Sequence, residues 1–390
     1  MQLTHRGHHP LHHHDHIHMR ELLLTLLRFI RTNAVLCIAI LAAAVTSIIV
    51  PPDASYLGYF DLKTLSCLFC TLAVVCALKN IRFFTILAKR IVRATGNIRM
   101  AVLSLVIITF VGSMLIANDM ALLTFLPLGY FILACTGQEK HMAFTFIMQN
   151  IAANLGGMLT PFGNPQNLYL YSRFNIPNGE FMAIMAPPFV LAISLIALCC
   201  VIFVPREHIE VKEKADEKLP PARTALYLVL FVLSIAIVFR TVPYVLGLIV
   251  IPLVLLFADH KALGKVDYPL LLTFVCFFIF AGNMGRIEVV RSFFSTLLDR
   301  SVLWVSALSC QVISNVPSAI LLSQFTDNYR ELLLGVNIGG AGTLIASLAS
   351  LITFREYIAH NPGRAGAYIL RFSAFNFAFF FILLAFSSLF

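Results

Sequence analysis

Charge is what this sequence has least of. Asp, Glu, Lys and Arg make up 12% of the 390 residues, about half of the roughly 25% usual in soluble domains, and so few charges cannot coat a water-facing surface. Disulfide scaffolding is excluded as well. All nine cysteines (Cys37, Cys67, Cys70, Cys76, Cys135, Cys199, Cys200, Cys276 and Cys310) fall inside apolar runs, where neither disulfide nor zinc chemistry is expected; Cys67 and Cys70 share a helix face and read as packing. Beyond the first 18 residues only His141, His208, His260 and His360 remain. They sit in loops or at the ends of apolar runs without metal-ligand spacing, which argues against a membrane-embedded enzyme. A cleavable signal peptide is also missing, because the first apolar run, 34–50, ends in Pro51-Pro52-Asp53 with no small-residue cleavage site.

What is present is apolar. Hydrophobic residues reach 59%, mean hydropathy is +0.87, and runs of about 17–25 residues recur, the length of a bilayer-crossing helix. The expected spans are 34–50, 61–78, 142–172 with a break, 181–204, 223–239, 244–258, 268–283, 329–357 with a break, and 366–389. Two further apolar segments, 98–135 and 301–325, read as hairpins. Each is interrupted by a polar cluster, Asn118-Asp119 in one and Ser314-Asn315-Val316-Pro317 in the other. Amphipathic stretches at 81–94 and 287–299 precede the hairpins and suit helices lying in the membrane interface.

The net charge of +9 does not indicate nucleic acid, because the basic residues lie in short segments between apolar runs. It indicates orientation. With the N-terminus in the cytoplasm, only Lys63, Arg173, Arg240, Arg286, Arg291, Arg300 and Arg330 of the 28 Lys and Arg fall outside, and the C-terminus lies outside too. The first 18 residues hold His5, His8, His9, His12, His13, His14, His16 and His18. This tract reads as a disordered or tag-like extension, or as a metal-binding tract, and is kept out of the fold reasoning.

An internal repeat is visible. Asp61 to Cys70, leading to Lys79-Asn80-Ile81, matches Asp267 to Cys276, leading to Arg286-Ile287, without a gap. Each half then supplies an amphipathic helix, an Asn-bearing hairpin and a Gly-rich interrupted helix. Five membrane crossings separate Asp61 from Asp267, and an odd number inverts the second half. The expected architecture is an all-α polytopic membrane protein of two inverted repeats, each with a re-entrant hairpin and a broken transmembrane helix. Its divisions are a His-rich cytoplasmic tail and pre-membrane segment (1–33), a first repeat (34–205), a cytoplasmic linker (206–222) and a second repeat (223–390).

Irregular backbone at membrane depth leaves N–H and C=O groups without helix partners, and it is tolerated only where protein, ions or water satisfy them. Four interruptions in one chain are therefore expected to converge. At a hairpin tip the ending helix offers carbonyls to a cation, and the beginning helix offers N–H groups to an anion. Asn118 or Asp119 can cap the second arm of the first hairpin; Asn315 can cap that of the second, with Pro317 in its first turn. Asp119 is a carboxylate within the membrane and so a functional candidate. Three uses stay open for it: ligating a cation, carrying a coupling proton, or capping its helix. Asn150, Gln311 and Asn376 read as interhelical hydrogen-bonding residues.

The motif Gly156-Gly157-x-x-Thr160-x-x-Gly163-x-Pro165-x-Asn167, preceded by an Asn-bearing hairpin and mirrored by Ser314-Asn315 and Gly339-Gly340-x-x-Thr343, resembles the ion transporter superfamily. That group holds divalent anion/sodium symporters, citrate transporters, arsenite permeases and sodium/proton antiporters. The resemblance implies a first sodium site at Asn118, Asp119, Thr160, Gly163 and Asn164, and a second at Ser314, Asn315, Thr343, Ala346 and Ser347. It implies a substrate between the tips, touching Asn118, Asp119, Asn154, Asn164, Asn315, Val316, Asn337 and Ser347. The tips read Ala117-Asn118-Asp119 and Ser314-Asn315-Val316 rather than the Ser-Asn-Thr of the dicarboxylate branch, and Asp119 brings the chain nearer the arsenite permease and antiporter branches. The functional expectation is an elevator-type secondary transporter in the inner membrane, moving a small anion or oxyanion with sodium ions or protons as coupling ions and no other cofactor. A sodium/proton antiporter is the alternative, with an enzyme or a channel behind it. The resemblance further implies a homodimer.

Overall fold

The computed structural model describes residues 11–211 and 217–390. His5, His8 and His9 of the histidine tract, and Lys212 and Lys214 of the expected linker, lie outside the described residues. The remaining chain forms helices, in order α1 Leu11–Thr32, α2 Ala34–Ile49, α3 Leu62–Asn80, α4 Phe83–Arg93, α5 Ile98–Ile116, α6 Asn118–Cys135, α7 Met142–Gly156, α8 Pro165–Arg173, α9 Asn178–Phe203, α10 Pro221–Val238, α11 Tyr244–Ala258, α12 His260–Gly264, α13 Tyr268–Gly285, α14 Glu288–Arg300, α15 Val302–Ile313, α16 Asn315–Leu322, α17 Tyr329–Ile338, α18 Leu348–His360 and α19 Ala365–Ser388. There is no strand among the described residues, only an isolated bridge between Asn97 and His208. Seven of these helices are long and apolar enough to cross a membrane, and α1 with α2 would make an eighth. The protein is a polytopic membrane protein.

The tail expectation needs correction. Leu11–Thr32 is a helix, bent by 97° from α2. Its described side chains are exposed, including Leu22, Leu26, Phe29 and Ile30. Placed at 100° per residue, these four fall on one side of α1, with Arg20, Arg28 and Arg31 on the other.

Both expected repeat starts are capped alike. Asp61 accepts the Thr64 N–H (3.0 Å) at the start of α3, and Asp267 accepts the Leu270 N–H (3.2 Å) at the start of α13. The two amphipathic stretches form α4 and α14. Both hairpins are present, and each turns on one residue between its arms. The second arm of the second hairpin stops at Leu322, three residues before the expected 325, where the Ser323 hydroxyl turns back to Ile320 O (2.8 Å).

Packing separates two groups of helices. α2 lies along α13, and α3 lies against α10 and α11. The second group interlocks the halves: α18 packs on α6 and α7, while α16 packs on α8. Buried apolar side chains run through both, with Phe110, Phe146, Tyr171, Phe274 and Phe380 fully enclosed.

Candidate functional site

The two hairpin tips are built the same way. Ala117 has φ 74° and ψ 159°, and Ser314 has φ 77° and ψ 165°. Non-glycine residues rarely hold this conformation, which costs on the order of 1–3 kcal/mol, so surrounding contacts must enforce it. Immediately after each turn an asparagine folds its amide back: Asn118 Oδ1 accepts the Asp119 N–H (2.9 Å), and Asn315 Oδ1 accepts the Val316 N–H (2.8 Å). Each thereby satisfies one free donor of the following helix.

The broken helices are fastened to the hairpins by a second matched pair. The Thr160 hydroxyl donates to Met114 O (3.3 Å), three residues before Ala117; the Thr343 hydroxyl donates to Gln311 O (2.9 Å), three residues before Ser314. Side chains then take up the carbonyls that the breaks expose. In the first break Asn167 Nδ2 donates to Met158 O (3.0 Å), with longer contacts to Gly157 O and Thr160 O. In the second, Gln311 Nε2 donates to Gly339 O (2.8 Å) and Ala341 O (3.0 Å), while its Oε1 accepts the Thr343 N–H (2.9 Å). Ser314 ties the second tip to its break through Ala346 O (3.2 Å).

These four interruptions meet. Asn118 Nδ2 donates to Asn154 Oδ1 (3.5 Å), and Asn154 Nδ2 donates to Gly340 O (3.4 Å). A Cβ on Gly340 would stand 3.5 Å from Asn315 Nδ2, so the first tip reaches the second through Asn154 and Gly340. Across the junction, Asn337 Oδ1 accepts from Asn164 (3.3 Å) and Gln166 (3.4 Å), and its Nδ2 donates to Asn167 Oδ1 (2.6 Å) and Leu333 O (2.8 Å). Asn118, Asn154, Asn164, Asn315, Asn337 and Ser347 are all buried. Gly157 admits the Asn164 side chain against its Cα, where a Cβ would collide with Asn164 Oδ1.

Asn118, Asn154, Asn164 and Asn337 thus come together in one polar junction with Asn315 beside it, while among the described residues no hydrogen bond brings the Asp119 side chain into it. Among the described residues no hydrogen bond joins Asn118 or Asp119 directly to Thr160, Gly163 or Asn164. Two buried oxygens of the junction have no donor, Asn164 Oδ1 and Gln166 Oε1, and neither has Asp119 Oδ1 in the first turn of α6. A buried acceptor without a donor is costly, and oxygen is the donor atom a hard cation takes. The second set is closed on itself: Ser347 caps α18 at the Ser350 N–H (3.2 Å) and bonds the Ser350 hydroxyl (3.0 Å). Val316 offers its backbone N–H to Asn315 and a half-buried side chain. Asn150 does bridge helices, to Ser350 (3.3 Å) and Thr353 (3.4 Å). Asn376 does not; its Nδ2 donates to Phe372 O one turn back in its own helix (2.9 Å), and its Oδ1 has no donor.

Two cavities of about 690 Å³ flank the α3 and α13 pair at opposite ends. One lies beside the start of α3 and the end of α13, reaching α8 through Tyr169 and Ser172 and the turn after α16 through Gln324. The other lies at the end of α3 and start of α13, reaching the first hairpin through Met120 and Leu123. Helices of 19 and 18 residues separate them by roughly 27 Å at 1.5 Å per residue.

Known proteins agree with this picture. The citrate transporter family matches residues 22–329. A transporter of Methanocaldococcus jannaschii is 32% identical over 309 residues, covering 79% of this chain and 84% of that protein. The inner membrane protein YbiR of Escherichia coli is 29% identical over 283 residues, covering 70% and 74%. The silicon efflux transporter LSI3 of Oryza sativa is 27% identical over 155 residues, covering 39% and 31%. With interrupted helices joined at a buried polar junction and a family match over most of its length, the chain belongs to the citrate transporter family, within the ion transporter superfamily, and is a membrane transporter.

Proposed function

We propose that the protein is a secondary active transporter that moves a small anion or oxyanion across the cytoplasmic membrane by an elevator-type movement coupled to sodium or protons. The observation that carries this reading is the polar junction, where two tips and two breaks meet with two buried oxygens, Asn164 Oδ1 and Gln166 Oε1, left without donors, and where Asp119 Oδ1 stands unpartnered one residue after the first tip's Asn118. A coupling cation at these oxygens would remove their desolvation cost and bring positive charge to a site whose other named side chains are neutral. The solute would lie against Asn118, Asn154, Asn315 and the Gly340 backbone, where amide N–H groups and helix starts face it. A family matched under the name of citrate, and a relative named for silicon efflux, support a small solute.

In this mechanism α2, α3, α10, α11 and α13 form the static part, and the hairpins with the broken helices move between the two cavities. The halves 34–205 and 223–390, joined by the linker 206–222, stand oppositely oriented; the matched caps, tips and Thr bonds support that relation. The N-terminus is cytoplasmic, the C-terminus lies outside, and the molecule works as a homodimer. The second cation set, at Ser314, Asn315, Thr343, Ala346 and Ser347, is held closed by its own hydrogen bonds in this conformation and opens for an ion only when Ser347 leaves Ser350.

Citrate uptake into proteoliposomes under imposed sodium and pH gradients tests the reading. Uptake should follow one of these gradients; flux indifferent to both sinks the coupling. The unpartnered Asp119 oxygen also favours a second reading, a sodium/proton antiporter. Asp119→Asn should then abolish exchange, and full exchange by this variant excludes that role.

A further inference from the structure

We infer that the cavity at the Arg286 end of α13 is an anion-collecting antechamber, a binding site separate from the polar junction, for small solutes bearing carboxylate or other oxyanion groups. Lys63, Arg173, Arg286 and Arg291 line it, against the single carboxylate of Asp61. The charges are not all alike. Arg286 is matched by Asp53, through Nη2 to Oδ2 (2.7 Å) and Nη1 to Oδ1 (3.1 Å), and takes the Tyr59 hydroxyl as well (3.0 Å). Asp61 accepts from the Thr64 N–H and the Ser172 hydroxyl (3.1 Å), neutral donors that leave its charge beside Lys63. Among the described residues Lys63, Arg173 and Arg291 form no ion pair with a carboxylate; Arg291 donates to Gly285 O (3.1 Å). With Arg286 balanced by Asp53, three cations against one carboxylate leave a net charge of +2 around a volume that admits a small polyanion.

Membrane topology does not account for this clustering. With the N-terminus inside, the orientation rule calls for Lys and Arg on the other side of the membrane from this cavity. Yet four of the seven cations on this side gather around one space. Of the other three, Arg240 has a structural task, donating to Ile176 O (2.8 Å) and Tyr171 O (2.9 Å) with its guanidinium 3.9 Å from the Tyr171 ring centre. No comparable task holds Lys63 and Arg173. The cavity at the opposite end is less charged: it carries Lys79 and Lys265 with Asp267, and Lys265 donates to Asn80 (3.0 Å). A cleft lined by one sign of charge raises the local concentration of the opposite ion and speeds its capture. Tyr169 and Ser172 come from α8, which follows the first break, and Gln324 from the turn just after α16, the second arm of the second hairpin, so an anion held here stands at the edge of the moving part.

The inference rests on the reading of the solute as an anion, and its test is independent of transport. Gln324→Cys, on a background with the exposed Cys135 replaced by Ser, puts a thiol at the wall of the cavity. In nanodiscs its modification by the anionic ethylsulfonate methanethiosulfonate is compared with that by the cationic trimethylammonium reagent, each relative to free thiol. The anionic reagent should be favoured about tenfold at low salt, and the preference should collapse as salt is raised. Combined Lys63→Gln, Arg173→Gln and Arg291→Gln should cut it at least threefold, whereas Lys63→Arg, Arg173→Lys and Arg291→Lys together should keep it. Citrate at millimolar concentration should slow the modification more than chloride of equal ionic strength. No preference in the parent protein, or a preference untouched by the three Gln changes, overturns the antechamber even where gradient-driven uptake persists. A preference of the expected size in a protein that moves no anion keeps the cationic cavity and removes the transport reading instead.

Discussion

Asn337 is the side chain on which most of the junction hangs. It serves Asn164, Gln166, Asn167 and Leu333 O at once, and it is 1% exposed. Asn337→Ala strands at least two buried amides, each costing about 1–3 kcal/mol. Denaturant unfolding in detergent should register a loss of roughly 3 kcal/mol, and a loss under about 1 kcal/mol would mean that water replaces the amide. Asp53 offers a contrast at the surface. Its hydrogen bonds to Arg286 hold its carboxyl below the ordinary 3.8. A depressed carboxylate contributes stability above its unfolded value, and that contribution is lost as pH falls through the folded one. The melting-temperature gap between the parent and Asp53→Asn should therefore be present at about pH 6 and shrink as pH falls below the ordinary carboxylate value; a gap that widens on acidification would contradict the pairing. These residues differ in how legible they are. Asn118, Asn315 and Asp119 stand out in sequence because polar groups interrupt apolar runs. Asp53 and Arg286 lie 233 positions apart, and nothing local announces the pair.

Among elements, the hairpins show both the reach and the limit of pattern reading. Their apolar arms and polar centres give their positions nearly to the residue, since a polar cluster in an apolar run has few places to go in a bilayer. The turn itself is silent. Ala117 and Ser314 take the positive φ where glycine would be the residue to look for, and only packing of the arms imposes it. Ala117→Gly should relax that strain and raise stability by about 1 kcal/mol net of the added chain entropy; a lowered melting temperature would show that the turn is not strained. The breaks were legible through their glycines, but the residues holding them were less so. Asn167 lies inside the motif without revealing that it binds three carbonyls, and Gln311 reads as a helix-bridging amide without revealing that it spans the whole second break. In each case the partners are carbonyls freed by an interruption, whose directions depend on the three-dimensional path of the chain. Gly157→Ala should drive a methyl into Asn164 and shift the first break; cysteine accessibility at position 164 should then rise, and an unchanged rate would place the side chain elsewhere.

For the whole molecule, two cavities sit at opposite ends of one helix pair, one reaching α8 and the other the first hairpin. Membrane class and element order follow from composition and from runs of bilayer length, because the bilayer allows so few alternatives. The convergence of four distant segments was expected from the cost of broken backbone, and its bonds run between residues as far apart as Asn154 and Gly340. The cavities have no sequence signature, since each is lined from both halves. α1 lay in plain view but was masked by the histidines before it. The central claim is that the junction of tips and breaks is where solute and ion are held. A cryo-electron microscopy map of the protein in sodium citrate tests this most directly. The account predicts density bounded by Asn118, Asn154, Asn315 and Gly340; a well-defined map in which that junction is filled by side chains alone, while citrate density sits elsewhere, would contradict it.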